Sequence, residues 1–284
     1  MKPVCYLMLL YCSSVCVADT SVWVVSKGER QLFIGGTIHL LSKNDFPLPD
    51  EYDQAYEGSS NLVFETDIAA AASALLQPTV QQQLVYLSDQ TLQDDLGEEA
   101  YAALRDYCAS RGIPMSVIDR LRPPMAAMTL TLFELKRIGV DAAGVDQHFY
   151  ARAQADSKVI DYFETPDEQL RFIVNMGKGN EDALVMNMVA DMSRLESMMS
   201  AMKAAWRAGD QLQLAQVAIE PLRSDYPDLY ETMLVQRNVA WLSGIEEMLE
   251  TPEVEFVLVG AAHLAGEHGI LRQLQQRGYR IRPF

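Results

Sequence analysis

Apolar positions along the chain follow two rhythms. Short continuous or alternating apolar runs at residues 21–25, 31–34, 61–64, 158–163, 254–259 and 279–282 predict β-strands. The first two flank Ser26-Lys27-Gly28-Glu29-Arg30 and read as a hairpin. Residues 254–259 are almost wholly apolar, the mark of a strand covered on both faces. Between residues 98 and 250 the period lengthens to three and four. Helices are predicted at 98–111, ended by Gly112, at 124–137, begun by a proline pair, and at 145–154. Another starts at Thr165-Pro166-Asp167-Glu168, which supplies an N-cap, a first-turn proline and early acids. Others cover 230–250, 49–57 and 269–276. The longest stripe is Val185, Met188, Met192, Leu195, Met199, Met202 and Trp206. It predicts one continuous helix over 180–206, closed at Gly209-Asp210. Methionines on one helical face read as adaptable core packing. A metal or haem box and a homodimer seam are the other readings.

Strands near both ends enclose a helical middle, with no low-complexity segment or linker. That order predicts a single α/β domain, its central mixed sheet built from both chain ends, with a large helical insertion between them. At 284 residues the chain can bury a substantial core.

Charge narrows the partners. The formal net charge is -16, and no basic patch stands out. Such a surface repels phosphate backbones and anionic headgroups, which excludes nucleic acid and membrane surfaces as partners and leaves a peptide or small-molecule substrate. Residues 1–18 differ from the rest. Lys2, an apolar run at 4–11 and small residues ending in Val15-Cys16-Val17-Ala18 have the order of a secretory signal cleaved before Asp19. The run is too short to span a bilayer, so a periplasmic or secreted protein of residues 19–284 is expected, without membrane insertion after cleavage. Of four cysteines, Cys5, Cys12 and Cys16 leave with the signal. Cys108 then has no partner for an internal disulfide, and its helical setting reads as a buried, inert thiol.

Three apolar strands end in side chains able to bind metal or move protons. Residues 31–34 lead to His39, 61–64 to Glu65, and 254–259 to His263. Ligands of open α/β sheets bind beyond the carboxyl ends of parallel strands, so neighbouring strands would bring these three to one rim. Both histidines follow a Gly-x-x-His step; Gly36 and Gly260 would let the backbone turn off the strand and leave room beside an imidazole. Two neutral imidazoles and a carboxylate suit a divalent Zn, Mn, Co or Fe ion, and a water on such an ion is acidified toward neutral pH. His148 reads as a surface or packing residue, and His268 as an exposed cap or a group behind His263. Arg237-Asn238 interrupts an apolar helix. Either it lies on a solvated face, or Arg237 points inward to grip a substrate carboxylate or orient Glu65.

Gly36-Thr37-Ile38-His39, Phe46-Pro47-Leu48-Pro49, Val63-Phe64-Glu65-Thr66-Asp67, Gly144-Val145-Asp146, Phe163-Glu164-Thr165, Ala205-Trp206-Arg207-Ala208-Gly209-Asp210, Arg237-Asn238 and Val259-Gly260-Ala261-Ala262-His263-Leu264 resemble the TraB/GumN family, in its order and over nearly the whole of residues 19–284. That family is similar to the Tiki metalloproteases and to the erythromycin esterase and ChaN-like folds. The resemblance implies His39, His263 and Glu65 as metal or catalytic residues, with Arg237 and Asn238 in support. It implies a metal-dependent hydrolase acting on peptides, with Glu65 as third ligand or general base. The alternative is a binding protein without catalysis that sequesters a peptide, haem or metal in the same cleft. Leu121-Arg122-Pro123-Pro124 departs from the pattern, since the family usually has an aromatic after the first proline.

Overall fold

The computed structural model describes residues 20–284. The expected signal at 1–18 lies outside the described residues. The core is a six-stranded mixed sheet. Its strands are β1 (Val22–Lys27), β2 (Arg30–Thr37), β4 (Asn61–Thr66), β6 (Val159–Glu164), β7 (Glu255–Gly260) and β8 (Arg280–Pro283). Two short strands, β3 (Leu40–Leu41) and β5 (Ala142–Ala143), pair antiparallel outside it. The spatial order is β6-β4-β7-β2-β1-β8. Strands β6, β4, β7 and β2 run parallel, and β1 lies antiparallel to both β2 and β8. Both chain ends therefore enter one sheet, as the order of runs predicts.

Side-chain alternation explains how the sheet is covered. Along β7, Phe256 and Leu258 join one core and Val257 and Val259 the other. The first core packs Tyr52, Phe149 and Trp206 against the sheet, from the helices Asp50–Gly58, Val145–Ala155 and Leu195–Arg207. The second packs Trp241, Leu242 and Ile245 of Gln236–Met248 with Ile270 and Leu274 of Ile270–Gln276. This is a three-layer α/β arrangement. The insertion has its own apolar cluster, built on Leu104, Leu130, Val185 and Met188. Among the described residues no helix is long and apolar enough to cross a membrane.

The methionine stripe corrects one expectation. Residues 180–206 form two helices, Glu181–Met192 and Leu195–Arg207, rather than one. Val185, Met188 and Met192 serve the insertion core, whereas Met199 and Trp206 serve the sheet core. Leu195 touches both clusters. A straight rod would not face both, and the break at Ser193 and Arg194 redirects the stripe without losing its period. Its buried members pack inside the chain's own cores, the adaptable packing expected of a methionine face. Cys108 is a free, fully buried thiol, and burial pushes its pKa up.

Trp206 ties the insertion to the sheet rim. Its indole N–H is shared between the Gly36 carbonyl and the Tyr52 hydroxyl, at 2.8 Å each. Tyr52 also donates to the Gly36 carbonyl, and Ser21 Oγ donates to the Trp206 carbonyl at 2.7 Å. The end of β2, from which His39 departs, is thus held by a buried aromatic and polar cluster. Trp206→Phe removes the donor and some volume. It should lower the unfolding free energy by about 2–4 kcal/mol, read from urea denaturation; a loss under about 0.5 kcal/mol would mean that the cluster is not holding the rim.

Candidate functional site

Four parallel strands end side by side, and their carboxyl ends carry the expected chemistry. Thr37 at the end of β2 lies in register with Gly260 at the end of β7, and Thr66 at the end of β4 with Glu164 at the end of β6. Glu65 is the penultimate residue of β4. His263 lies in the short turn Ala261–Leu264 after β7, and His39 just beyond β2. The rim thus brings together the three residues predicted from their strand exits.

Arg237 occupies the middle of the cluster. It is 5% exposed, which removes the solvated-face reading. Its Nη2 donates to Glu65 Oε2 at 2.6 Å and to Glu164 Oε2 at 3.0 Å. Its Nε donates to Glu164 Oε1 at 2.7 Å. Nη1 donates to the Met233 carbonyl at 3.2 Å and stands 3.3 Å from His263 Nε2. The guanidinium also lies over the rings of Trp241 and Phe172, at 4.8 and 5.2 Å from their centroids. A π-helical turn, Glu231–Val235, ends two residues before it. Such widened turns re-aim the residues that follow them. Of the two inward roles open to Arg237, the geometry gives it the orientation of Glu65, together with Glu164.

Burial would raise the pKa of Glu65, but nearby donors and charges outweigh it and bring it down to about 2. The positive field of the His263, Arg237 and His39 side chains opposes the burial, and the Gly260 N–H, 2.6 Å from Glu65 Oε1, adds to it. A carboxylate so firmly ionised is a poor general base. Burial brings the His263 pKa down to about 4, with Arg237 adding to the shift and Glu65 opposing it. Its tautomer is fixed by Asn238. The Asn238 amide donates to the carbonyls of His263 and His268, at 3.3 and 2.8 Å. Its oxygen must then accept from His263 Nδ1, at 2.6 Å. That leaves the Nε2 lone pair facing Arg237, with Glu65 Oε1 at 3.9 Å. Asn238 therefore positions His263 and does not reach the open rim.

His39 is held the same way from the other side. Its Nδ1 donates to Asp146 Oδ2 at 3.0 Å, and its side chain is 67% exposed. Desolvation opposes the charged ring, but at this exposure that penalty is small; the hydrogen bond and charge of Asp146, with Glu65 behind it, raise the pKa. Glycine makes the contact possible. A Cβ on Gly144 would stand 2.0 Å from the Ile38 carbonyl, so only glycine lets residues 142–146 lie against the turn that carries His39. Gly36 and Gly260 have φ outside the left-handed region, so their role is room rather than a special turn. A Cβ on Gly36 would meet Ala261 at 3.2 Å, and one on Gly260 would meet Glu65 at 3.3 Å and His263 at 3.4 Å.

Reading the sequence singles out neither Glu164 nor Asp146 as a site residue. Glu164 accepts from Arg237, from Trp241 Nε1 at 3.0 Å and from Gln169 at 2.6 Å. A signal for it exists: Phe64-Glu65-Thr66 and Phe163-Glu164-Thr165 repeat one step at two strand ends. Asp146 lies in the first turn of a helix, where an acid is ordinary, and only the Gly144-Val145-Asp146 step of the family resemblance marks it. The other two histidines stand apart. His148 is exposed and packs near Phe46 and Phe149. The ring of His268 hydrogen-bonds Tyr230 at 2.7 Å, and only its carbonyl supports Asn238.

The donor set suits a divalent ion in its chemistry. His263 is pinned through Nδ1, which leaves its Nε2 as the lone-pair nitrogen; His39, held through the same atom, would release its Nε2 proton to an ion, and two carboxylates flank one guanidinium. Among the described residues no three His, Cys, Asp or Glu side chains are already gathered as a metal site. An ion at His263 Nε2 would displace the longest contact of Arg237 and leave its shorter bonds to the two glutamates.

A sheet closed by both chain ends, with two pinned histidines and a buried arginine–glutamate cluster on its rim, defines the class of protein. The sequence profile of the TraB/PrgY/gumN family matches residues 21–283, and the chain belongs to that family. It is similar to the uncharacterized protein YbaP of Escherichia coli (strain K12), 23% identical over 252 residues that cover 87% of this chain and 89% of that protein. It is similar to the same degree to YbaP of Shigella flexneri. No solved structure matches it significantly.

The His263 assignment is directly measurable. Nitrogen-15 NMR should show a neutral ring at pH 6 with the proton on Nδ1. Because the folded pKa of about 4 lies below the ordinary 6.5, the unfolded chain takes up this proton first on acidification. The associated stability is present above pH 6.5 and is lost as pH falls toward 4. A ring protonated near pH 6.5, or an Nε2–H tautomer, would contradict the geometry.

Proposed function

We propose that this chain is a metal-dependent hydrolase of peptides, exported to the periplasm or beyond by the leader at 1–18. The observation that carries the reading is the matched pinning of the two histidines: Asp146 holds Nδ1 of His39 and Asn238 holds Nδ1 of His263. Carboxylate or carbonyl oxygens behind Nδ1 orient metal-binding imidazoles and raise their basicity. His39 and His263 would hold the ion, with Glu65 beside them as the third donor. Manganese, cobalt, zinc and iron all suit such a set. When bound, the ion would supply Lewis acidity and a water acidified toward neutral pH.

The chain's own groups prepare the place. Asp146 keeps the His39 proton on Nδ1. Asn238 does the same for His263. Arg237 fixes Glu65 and Glu164 through its guanidinium and helps keep Glu65 ionised. The depressed pKa of Glu65 argues for a holding role rather than that of base. Room for a peptide adjoins the cluster. A hollow of about 490 Å³ is lined by Phe163, Glu164, Phe172, Arg237 and Trp241. It shares Phe172 and Gln236 with a neighbouring hollow of about 400 Å³. Together they have the size of a site for several residues of extended chain.

Elemental analysis and turnover test this reading together. The mature protein should carry a divalent transition metal, and His39→Ala or His263→Ala should lose it. Chelation should abolish shortening of a random peptide library, and metal should restore it. Metal-free protein whose turnover ignores chelator would overturn the metal. Peptide retention that saturates at the protein's own concentration, without turnover, would favour sequestration.

A further inference from the structure

The hollow of about 400 Å³ that continues the one beside Arg237 carries a charge at odds with the chain as a whole. Arg171 and Lys178 both border it, with Asn175 between them in sequence. The same three residues border another hollow of about 430 Å³, so the two cations are neighbours. Among the described residues neither side chain forms an ion pair. Acids outnumber Lys and Arg by 39 to 23, so two cations left unpaired in one recess run against the composition. Asp225 and Asp228 border the hollow from a different segment and pair with neither. The turn that presents Lys178 is held in place. Gly177 and Gly179 have φ of 69° and 81°, in the left-handed region, and a Cβ on Gly177 would stand 2.7 Å from the Leu184 side chain. Only glycine lets the turn lie so close to the helix Glu181–Met192. Phe172, Leu184 and Leu229 give the hollow an apolar wall. Phe172 also borders the hollow of the site, and the Arg237 guanidinium stands 5.2 Å from its ring centroid.

We propose that this hollow is a subsite for a carboxylate of the peptide substrate, held by Arg171 and Lys178. The inference rests on the hydrolase reading and narrows its substrate class. Arg171 offers a planar fork that can bind both oxygens of a carboxylate, and Lys178 adds a compact charge with three donors. The Asn175 amide supplies a further donor. Phe172 and Leu229 take the apolar part of the residue that bears the acid. Asp225 and Asp228 repel an acid from the rest of the wall and confine it to the side of the two cations. A chain that passes Phe172 on leaving the rim advances about 3.3 Å per residue, which sets the carboxylate about two to four residues from the bond that is cut. The carboxyl terminus and an Asp or Glu side chain offer the same group, and the test separates them.

The test uses the protein as isolated and three pools of random hexapeptides with acetylated amino ends. The first has free carboxyl ends and no acidic side chain, the second amidated ends and one acidic side chain, and the third amidated ends and no acid. Retained and shortened peptides are read by mass spectrometry. A carboxylate-bearing pool should be preferred over the neutral one by about fivefold or more, the scale of one partly exposed ion pair. Preference for the first pool identifies the terminus as the source, and for the second the side chain. Arg171→Gln combined with Lys178→Gln should leave the thermal midpoint unchanged, because both side chains are exposed. It should lose most of the preference. Equal handling of the three pools, or an undiminished preference in the double variant, overturns the subsite. Equal shortening of all three does so while leaving the hydrolase reading standing. Preferential retention of carboxylate-bearing peptides without shortening supports the subsite and overturns the hydrolase reading. Neither retention nor shortening of any pool overturns both.

Discussion

One buried guanidinium organises the rim. Arg237 lies between Glu65 on β4 and Glu164 on β6 and touches His263 after β7, so a single planar group spans three strand ends. Taking charges out of water is costly, and such a cluster persists only where each charge is closely paired and hydrogen-bonded. Those conditions are met. Trp241, Gln169 and the Gly260 amide supply the remaining bonds to the two carboxylates. Lysine could not replace it, because an ammonium lacks the planar fork that serves two carboxylates at once.

The rest of the site follows from this constraint. With Glu65 fixed and ionised, its Oε1 is set 3.9 Å from His263 Nε2. With Asn238 next in the chain to Arg237 and on the same helix, the Nδ1 side of His263 is fixed too. His39 is held independently, through Gly144 and Asp146. The two halves are also anchored differently in the fold: His263 by the helices of the second core, and His39 by the Tyr52–Trp206 cluster under the end of β2. A ligand bridging them would couple the two sides of the sheet.

Much of this was legible in sequence, for a physical reason. Strand exits announce themselves, because a two-sided strand must be apolar to its end; the residue after it meets the rim. That placed His39, Glu65 and His263. Glu164 escaped notice because β6 is an edge strand, where Asp161 and Tyr162 are exposed and the apolar run is weak. Asp146 escaped because its partner is 107 residues away, and an acid in a first helical turn carries no special signal. Periodicity also hid the break at Ser193 and Arg194, since two residues out of register leave the pattern of threes and fours intact. Arg237 was ambiguous by sequence because inward and outward arginines look alike on a helix whose neighbours are mixed.

The central claim is that Arg237 earns its burial by neutralising Glu65 and Glu164. Urea unfolding of Arg237→Met, alone and combined with Glu65→Gln and Glu164→Gln, measures this most directly. Removing the arginine alone strands two buried carboxylates and should lower the unfolding free energy by about 3–5 kcal/mol. Neutralising both glutamates in the same chain should recover at least half of that loss. A single substitution costing less than about 1 kcal/mol, or a triple variant in which the losses simply add, would contradict the account.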